Sequence, residues 1–180
     1  LGARGFNLFD PRKYVAQLMA TVLGGGMSSR MFISVRERKG LVYYVSTMCD
    51  SDTDTGSILT RAGIDNTKVE KAIATIVSEY KKIKREKVSD SELKKAKNYI
   101  RGKTYLGLEA SDDVAEFLGG QEILENQILS TEEILKHLES VTPKQVQGVA
   151  REMFVPEHMN LALVGPFEDK SKFEELIGEI

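Results

Sequence analysis

The chain has 180 residues, 41% hydrophobic and 29% charged, and its 25 basic and 27 acidic side chains give a formal charge of −2. That length holds one domain with a substantial core, and the composition is that of an ordinary soluble globular protein. The near-neutral balance gives no electrostatic case for nucleic acid or an anionic membrane, no apolar run approaches the ~18 residues of a membrane helix, and no signal peptide shows at Leu1. A single cysteine, Cys49, can make no internal disulfide, which fits a reducing, cytoplasmic compartment. Leucine rather than methionine opens the sequence, so residues 1–180 are expected to be one domain cut from a longer chain.

In chain order, Asp10-Pro11 predicts a helix start with Asp as N-cap and Pro at the first helical position. Val15, Leu18, Met19 and Val22 form its apolar stripe, which stops at Gly24-Gly25-Gly26, where glycine accepts the positive φ of a helix end. Ser28 or Ser29 then caps a short second helix carrying Phe32, Val35 and Lys39, and Gly40 ends it. Leu41 to Cys49, rich in β-branched and aromatic residues, predicts a strand. A polar turn from Asp50 to Gly56 and a second strand from Ser57 to Ile64 make an antiparallel hairpin. A long helix from about Asn66 to Arg85 follows, with Val69, Ile73, Ile76, Val77, Tyr80 and Ile83 on one face and Lys68, Lys71, Lys81 and Lys82 on a solvated one.

Three capping boxes mark later helices: Ser89 with Glu92, Ser130 with Glu133, and Thr142-Pro143 with Gln145. The first predicts a helix burying Leu93, Ala96 and Ile100, and the third one burying Val146, Val149, Ala150 and Met153. Between them Ser111 starts a helix expected to turn Val114, Phe117 and Leu118 inward. Met159 to Gly165 is apolar on both faces and predicts a central strand. A last helix carries Phe173, Leu176 and Ile177. Runs of helices among few strands, with one strand returning late, indicate an α+β fold with helices layered on a mainly antiparallel sheet.

Catalytic constellations are missing. Hydrolytic zinc needs about three protein ligands, with histidines grouped on a helix, and the chain offers only the separated His137 and His158. No metal site and no catalytic residue is expected in this chain. Asp50, Asp52 and Asp54 imitate the start of a calcium loop, but Thr55 and Arg61 stand where glycine and glutamate are required. The three glycines lack the GK[ST] ending of a phosphate loop, and Cys49 reads as a small strand residue.

The most informative run is LGGGMSSRMF (Leu23–Phe32) followed by VRERKGLVYY (Val35–Tyr44). It resembles the opening of the C-terminal, non-zinc-binding domain of the pitrilysin, insulysin and mitochondrial processing peptidase (M16) family of zinc metallopeptidases. More loosely, the resemblance extends from about Phe6 to the end. It implies an M16-type domain without activity of its own, and zinc held by a partner domain or subunit that bears an inverted HxxEH motif. It also implies a peptide substrate whose backbone is held by Arg36 and Tyr43. Their plain structural reading is an arginine paired with a carboxylate near Glu37 and a tyrosine packed at a sheet end. A guanidinium fork and a phenol are, equally, suitable donors to peptide carbonyls. Strand alternation puts Tyr43 and Tyr44 on opposite faces, and the resemblance implies that Tyr43 is the one toward substrate. A second role, structural or assembly subunit without proteolysis, is known for the same fold. As half of a clamshell, with its opening strand reduced to Leu1-Gly2-Ala3, the chain is also expected to self-associate as a homodimer.

Overall fold

Four strands, β1 (Gly2–Arg4), β2 (Val42–Ser51), β3 (Gly56–Ile64) and β4 (Met159–Asn160), form a sheet of order β2-β3-β1-β4 with every neighbouring pair antiparallel. They are taken from a computed structural model that describes residues 1–180. The helices are α1 (Lys13–Gly24), α2 (Val69–Arg85), α3 (Asp90–Leu106), α4 (Ser111–Glu125), α5 (Thr131–Ser140), α6 (Pro143–Met153) and α7 (Ser171–Gly178). A π-helical turn, Phe32–Glu37, stands between α1 and β2, and α2 is preceded by a 3-10 turn at Asn66–Lys68. The arrangement is the expected α+β layer of helices on an antiparallel sheet.

Alternation along the hairpin explains the core. Val45 and Thr47 of β2 and Ile58 and Thr60 of β3 are buried, and α1 packs on β2 while meeting α3, α5 and α6. Every residue expected on the inner face of α2, from Val69 to Ile83, is buried. Tyr80 stacks on Phe154 of the α6 end, with ring centroids 4.1 Å apart. Its hydroxyl would be costly to bury alone. It lies 2.6 Å from Thr60 Oγ1, which is 2.8 Å from Thr47 Oγ1, so one chain of hydroxyls ties α2 to β3 and β2. Burial pushes the Tyr80 phenol far up, keeping it a neutral hydrogen-bonding group.

All three capping boxes form as read, at Ser89/Glu92, Ser130/Glu133 and Thr142/Gln145. Other expectations are corrected. Asp10 does not cap α1: its carboxylate accepts from the Arg12 backbone N–H at 2.8 Å and binds the Arg12 guanidinium, and the helix starts at Lys13. Gly25 ends α1 with an ordinary φ of −74°. The tightest glycine of this run is Gly24, where a Cβ would collide with the Thr47 backbone, while one on Gly25 would crowd Thr21 of its own helix. Neither Ser28 nor Ser29 caps the next turn with its side chain, because Met31 holds the N-cap position and makes no such bond. Helix α4 turns Val114 and Leu118 to solvent and leaves Phe117 half-buried, with only Gln121 buried, so its apolar residues do not join the core. The Met159–Gly165 strand is neither central nor long: β4 is two residues at the sheet edge, and Val164 is fully exposed.

Candidate functional site

Arg36 and Tyr43 flank a single tight reversal. The π-helical turn places Arg36 near its end, and Gly40 then takes φ +56°, a left-handed conformation that suits glycine. Two backbone bonds fasten the reversal, Gly40 N–H to Arg36 O and Leu41 N–H to Val35 O, both 3.0 Å. Lys68 adds a third by donating to Gly40 O at 3.1 Å. Val35 beneath is fully buried, so the turn is anchored by its apolar side while Arg36 faces solvent.

No carboxylate lies within ion-pair distance of Arg36, which removes the paired-arginine reading. Its guanidinium lies over the Phe32 ring instead, 4.9 Å from the centroid. The i, i+4 spacing of an aromatic and a cation was the signal for this contact, and the sequence reading passed it over. A stacked guanidinium keeps its N–H groups free at the edge of the plane, available to acceptors outside the protein.

Tyr43 is 70% exposed and Tyr44 58%, so strict alternation fails here. The cause is a register shift: Val42 stands opposite Ile64 and Tyr44 opposite Gly63, leaving Tyr43 as an extra residue, a β-bulge. Tyr44 lies over Gly63, where a side chain would collide with its ring. The bulge therefore presents two adjacent phenols at the end of an edge strand, within a few residues of Arg36. No hydrogen bond joins Arg36 to either tyrosine.

The loop before the turn borders a polar cavity of about 360 Å³. Arg30 crosses it to Glu92, with Nε 2.8 Å from Oε1, and Lys82 pairs with the buried Glu79 at 3.0 Å. The Arg30 hydrogen bond, followed by the Ser89 cap, holds the Glu92 carboxyl down at about 2 against the opposing effect of partial burial. The Arg30–Glu92 pair fastens the glycine-rich loop to α3, while the Lys82–Glu79 pair lies within α2.

The remaining sequence candidates are scattered. His137 stacks on Tyr14 with centroids 4.8 Å apart, and His158 closes a 3-10 turn at Pro156–His158. No three His, Cys, Asp or Glu residues stand close enough to hold a metal ion, so this chain's residues do not fit zinc. Asp50 lies in β2 opposite Ser57, and Asp52 helps close the hairpin by donating its N–H to Thr55 O at 2.9 Å. Cys49 packs half-buried against the core, and burial pushes its thiol up to about 11. No helix is long and apolar enough to cross a membrane.

Residues 1–100 match the sequence profile of the peptidase M16 inactive domain. An uncharacterized zinc protease of Streptomyces coelicolor is 32% identical over 170 residues, 94% of this chain and 37% of that protein. Among solved structures, the peptidase M16 inactive domain from Pseudomonas fluorescens superimposes with a TM-score of 0.75 at 20% identity, over 88% of this chain and 37% of that one. A chain of Complex III2 from Candida albicans gives 0.77 at 18% identity, over 86% of this chain and 39% of that one. The chain thus spans well under half the length of the proteins it matches.

Proposed function

From the premise that this chain belongs to the peptidase M16 family as its inactive domain, we propose that it is the substrate-positioning half of a zinc metalloendopeptidase. It acts beside a zinc-bearing half that hydrolyses peptides or proteins, and the zinc belongs to that other half. The observation that carries the reading is the exposed pair Arg36 and Tyr43 on one fastened reversal, the arginine without a carboxylate partner and the tyrosine lifted out by a bulge. Donors fixed by backbone bonds cost little to organise when an extended peptide offers its carbonyls, and they act by holding the scissile region in place. The free thiol of Cys49 fits a reducing, cytoplasmic setting.

The test is reconstitution. The chain is combined with a zinc-bearing half of the family, and peptide turnover is compared with that of either half alone. Activity only in the mixture supports the proposal, and equal activity without this chain rejects it. A structural or assembly role without proteolysis is the second reading, favoured by the likeness in fold to the Complex III2 chain. It predicts a stable complex whose activity is absent.

A further inference from the structure

The polar cavity beside the glycine-rich loop, about 360 Å³ in volume, is lined by charged and hydroxyl groups that are not all paired with one another. On α3 the helical period sets Glu92, Lys95 and Tyr99 on one face, and on α2 it does the same for Glu79, Lys82 and Glu86. The loop brings Ser29 and Arg30, and the π-helical turn brings Ser34 and, just past its end, Arg38. Four cations thus line the cavity with three carboxylates. Two of the cations are paired, Arg30 with Glu92 and Lys82 with Glu79. Arg38 and Lys95 have no carboxylate within ion-pair distance, and only Glu86 is left over against them. Two hydroxyls are left over as well. Ser29 is 5% exposed, and neither its Oγ nor that of Ser34 meets a hydrogen-bond partner, although both oxygens are closed to solvent. A serine inside a helix often turns its hydroxyl back to the carbonyl four residues earlier, and Ser34 does not. A buried donor without an acceptor is costly, and two of them around one cavity call for an acceptor there.

We propose that this cavity binds a small oxyanion of the phosphate type, with Arg38 and Lys95 as its charged partners and Ser29 and Ser34 as hydroxyl donors. A phosphate presents acceptor oxygens on all sides, which suits two cations and two hydroxyls that come from the loop, the turn and α3, and the guanidinium fork can supply two of the bonds. The hydroxyls reach the anion by a change of χ1 rotamer, a step between staggered wells. Glu79 and Glu92 are each neutralised by a cation of their own, and Glu86 is exposed, where salt screens it. The chemistry fits free phosphate and the phosphate end of a small organic molecule alike, and the volume leaves room beside the phosphate for the organic part.

Thermal unfolding of the chain with four additives tests this: potassium phosphate, glycerol 3-phosphate, glycerol, and potassium chloride at matched ionic strength. About 10 mM of either phosphate is expected to raise Tm by about 3 °C or more, and glycerol or chloride by less than about 1 °C. A larger shift with glycerol 3-phosphate assigns the site to an organic phosphate and an equal one to free phosphate; both sustain the inference. In Arg38→Gln combined with Lys95→Gln the phosphate shift is expected to vanish, while Lys94→Gln, next to Lys95 on α3 but off the cavity, keeps it. Ser34→Ala is expected to unfold at the same or a higher temperature without phosphate, since it removes a stranded hydroxyl, and yet to lose about half or more of the phosphate shift. Shifts of equal size with phosphate and chloride overturn the inference. So does the absence of a shift with either phosphate, a shift that survives the double substitution, or one that Lys94→Gln removes as completely.

Discussion

Gly24 of α1 and Thr47 of β2 approach so closely that a single methyl group on the glycine would run into the threonine's backbone nitrogen and its side chain. The contact sets how deeply α1 sits on the sheet, and through the loop that follows α1 it sets where the turn bearing Arg36 begins. Gly24→Ala is expected to destabilise the protein by about 1–3 kcal/mol, the usual cost of overpacking a core contact. Gly26→Ala, which meets only the ring of the half-exposed Tyr99 at 3.3 Å, is expected to stay within about 0.5 kcal/mol of the original. Denaturant titration of the two variants checks the contrast; equal losses would mean that the glycines matter for chain flexibility rather than close approach.

Thr60→Val keeps the shape of the side chain while removing the hydroxyl between Thr47 and Tyr80. Tyr80 is then left with a 3.5 Å contact to Leu1 O as its nearest acceptor, a poor substitute. A loss of about 1–3 kcal/mol is expected, the cost of stranding a buried polar group, with no change in the denaturant slope.

Low pH should weaken the protein partly through Glu92. Its folded-state pKa of about 2 lies below the ordinary 4.5, so its contribution is complete above pH 4.5 and fades as pH falls toward 2. The full shift corresponds to ~3 kcal/mol. The carboxylate is 38% exposed, so screening reduces this to about 1 kcal/mol. Arg30→Met should flatten the stability profile across that window while leaving its slope above pH 5 unchanged. A variant that loses stability with acid as steeply as the original would show that Arg30 does not hold this carboxyl down.

In a reconstituted peptidase, Arg36→Ala and Tyr43→Phe are each expected to lower peptide turnover by an amount equivalent to ~2–4 kcal/mol, with folding and zinc content unchanged. Tyr44→Phe serves as the comparison, since Tyr44 is a neighbouring exposed phenol that lies over Gly63. Full activity in the first two variants, or unfolding in place of a kinetic defect, returns the pair to a structural role.

Self-association should run through the face that α4 leaves bare, where Ile123 is 83% exposed and Leu106, Leu124 and Ile128 are also exposed. Light scattering at high concentration is expected to report a dimer, and Leu106→Glu combined with Ile123→Glu a monomer. A monomeric original chain at the same concentration would remove the expectation.

What the sequence determined by itself was whatever depends on residues within a turn or two. Ser89 and Glu92 meet because they lie three apart, the Val69–Ile83 face of α2 follows from helical period, and Gly40 reverses the chain because its own φ must be positive. Arg36 and Tyr43 were singled out by the resemblance of the surrounding run, and the structure sets them on either side of that local reversal. Features that need a second element were decided only by the tertiary structure. Gly24 reads as a helix stop until Thr47 is set against it, and Tyr43 reads as one face of a regular strand until pairing with Gly63 turns it into a bulge. Val114 and Leu118 have the spacing of a buried face, yet no element covers them. Met159–Gly165 has the composition of a central strand but makes only the two pairs that β1 can offer. A strand is completed by its neighbour's hydrogen bonds and a buried face by its neighbour's side chains, and neither neighbour is encoded in the segment itself.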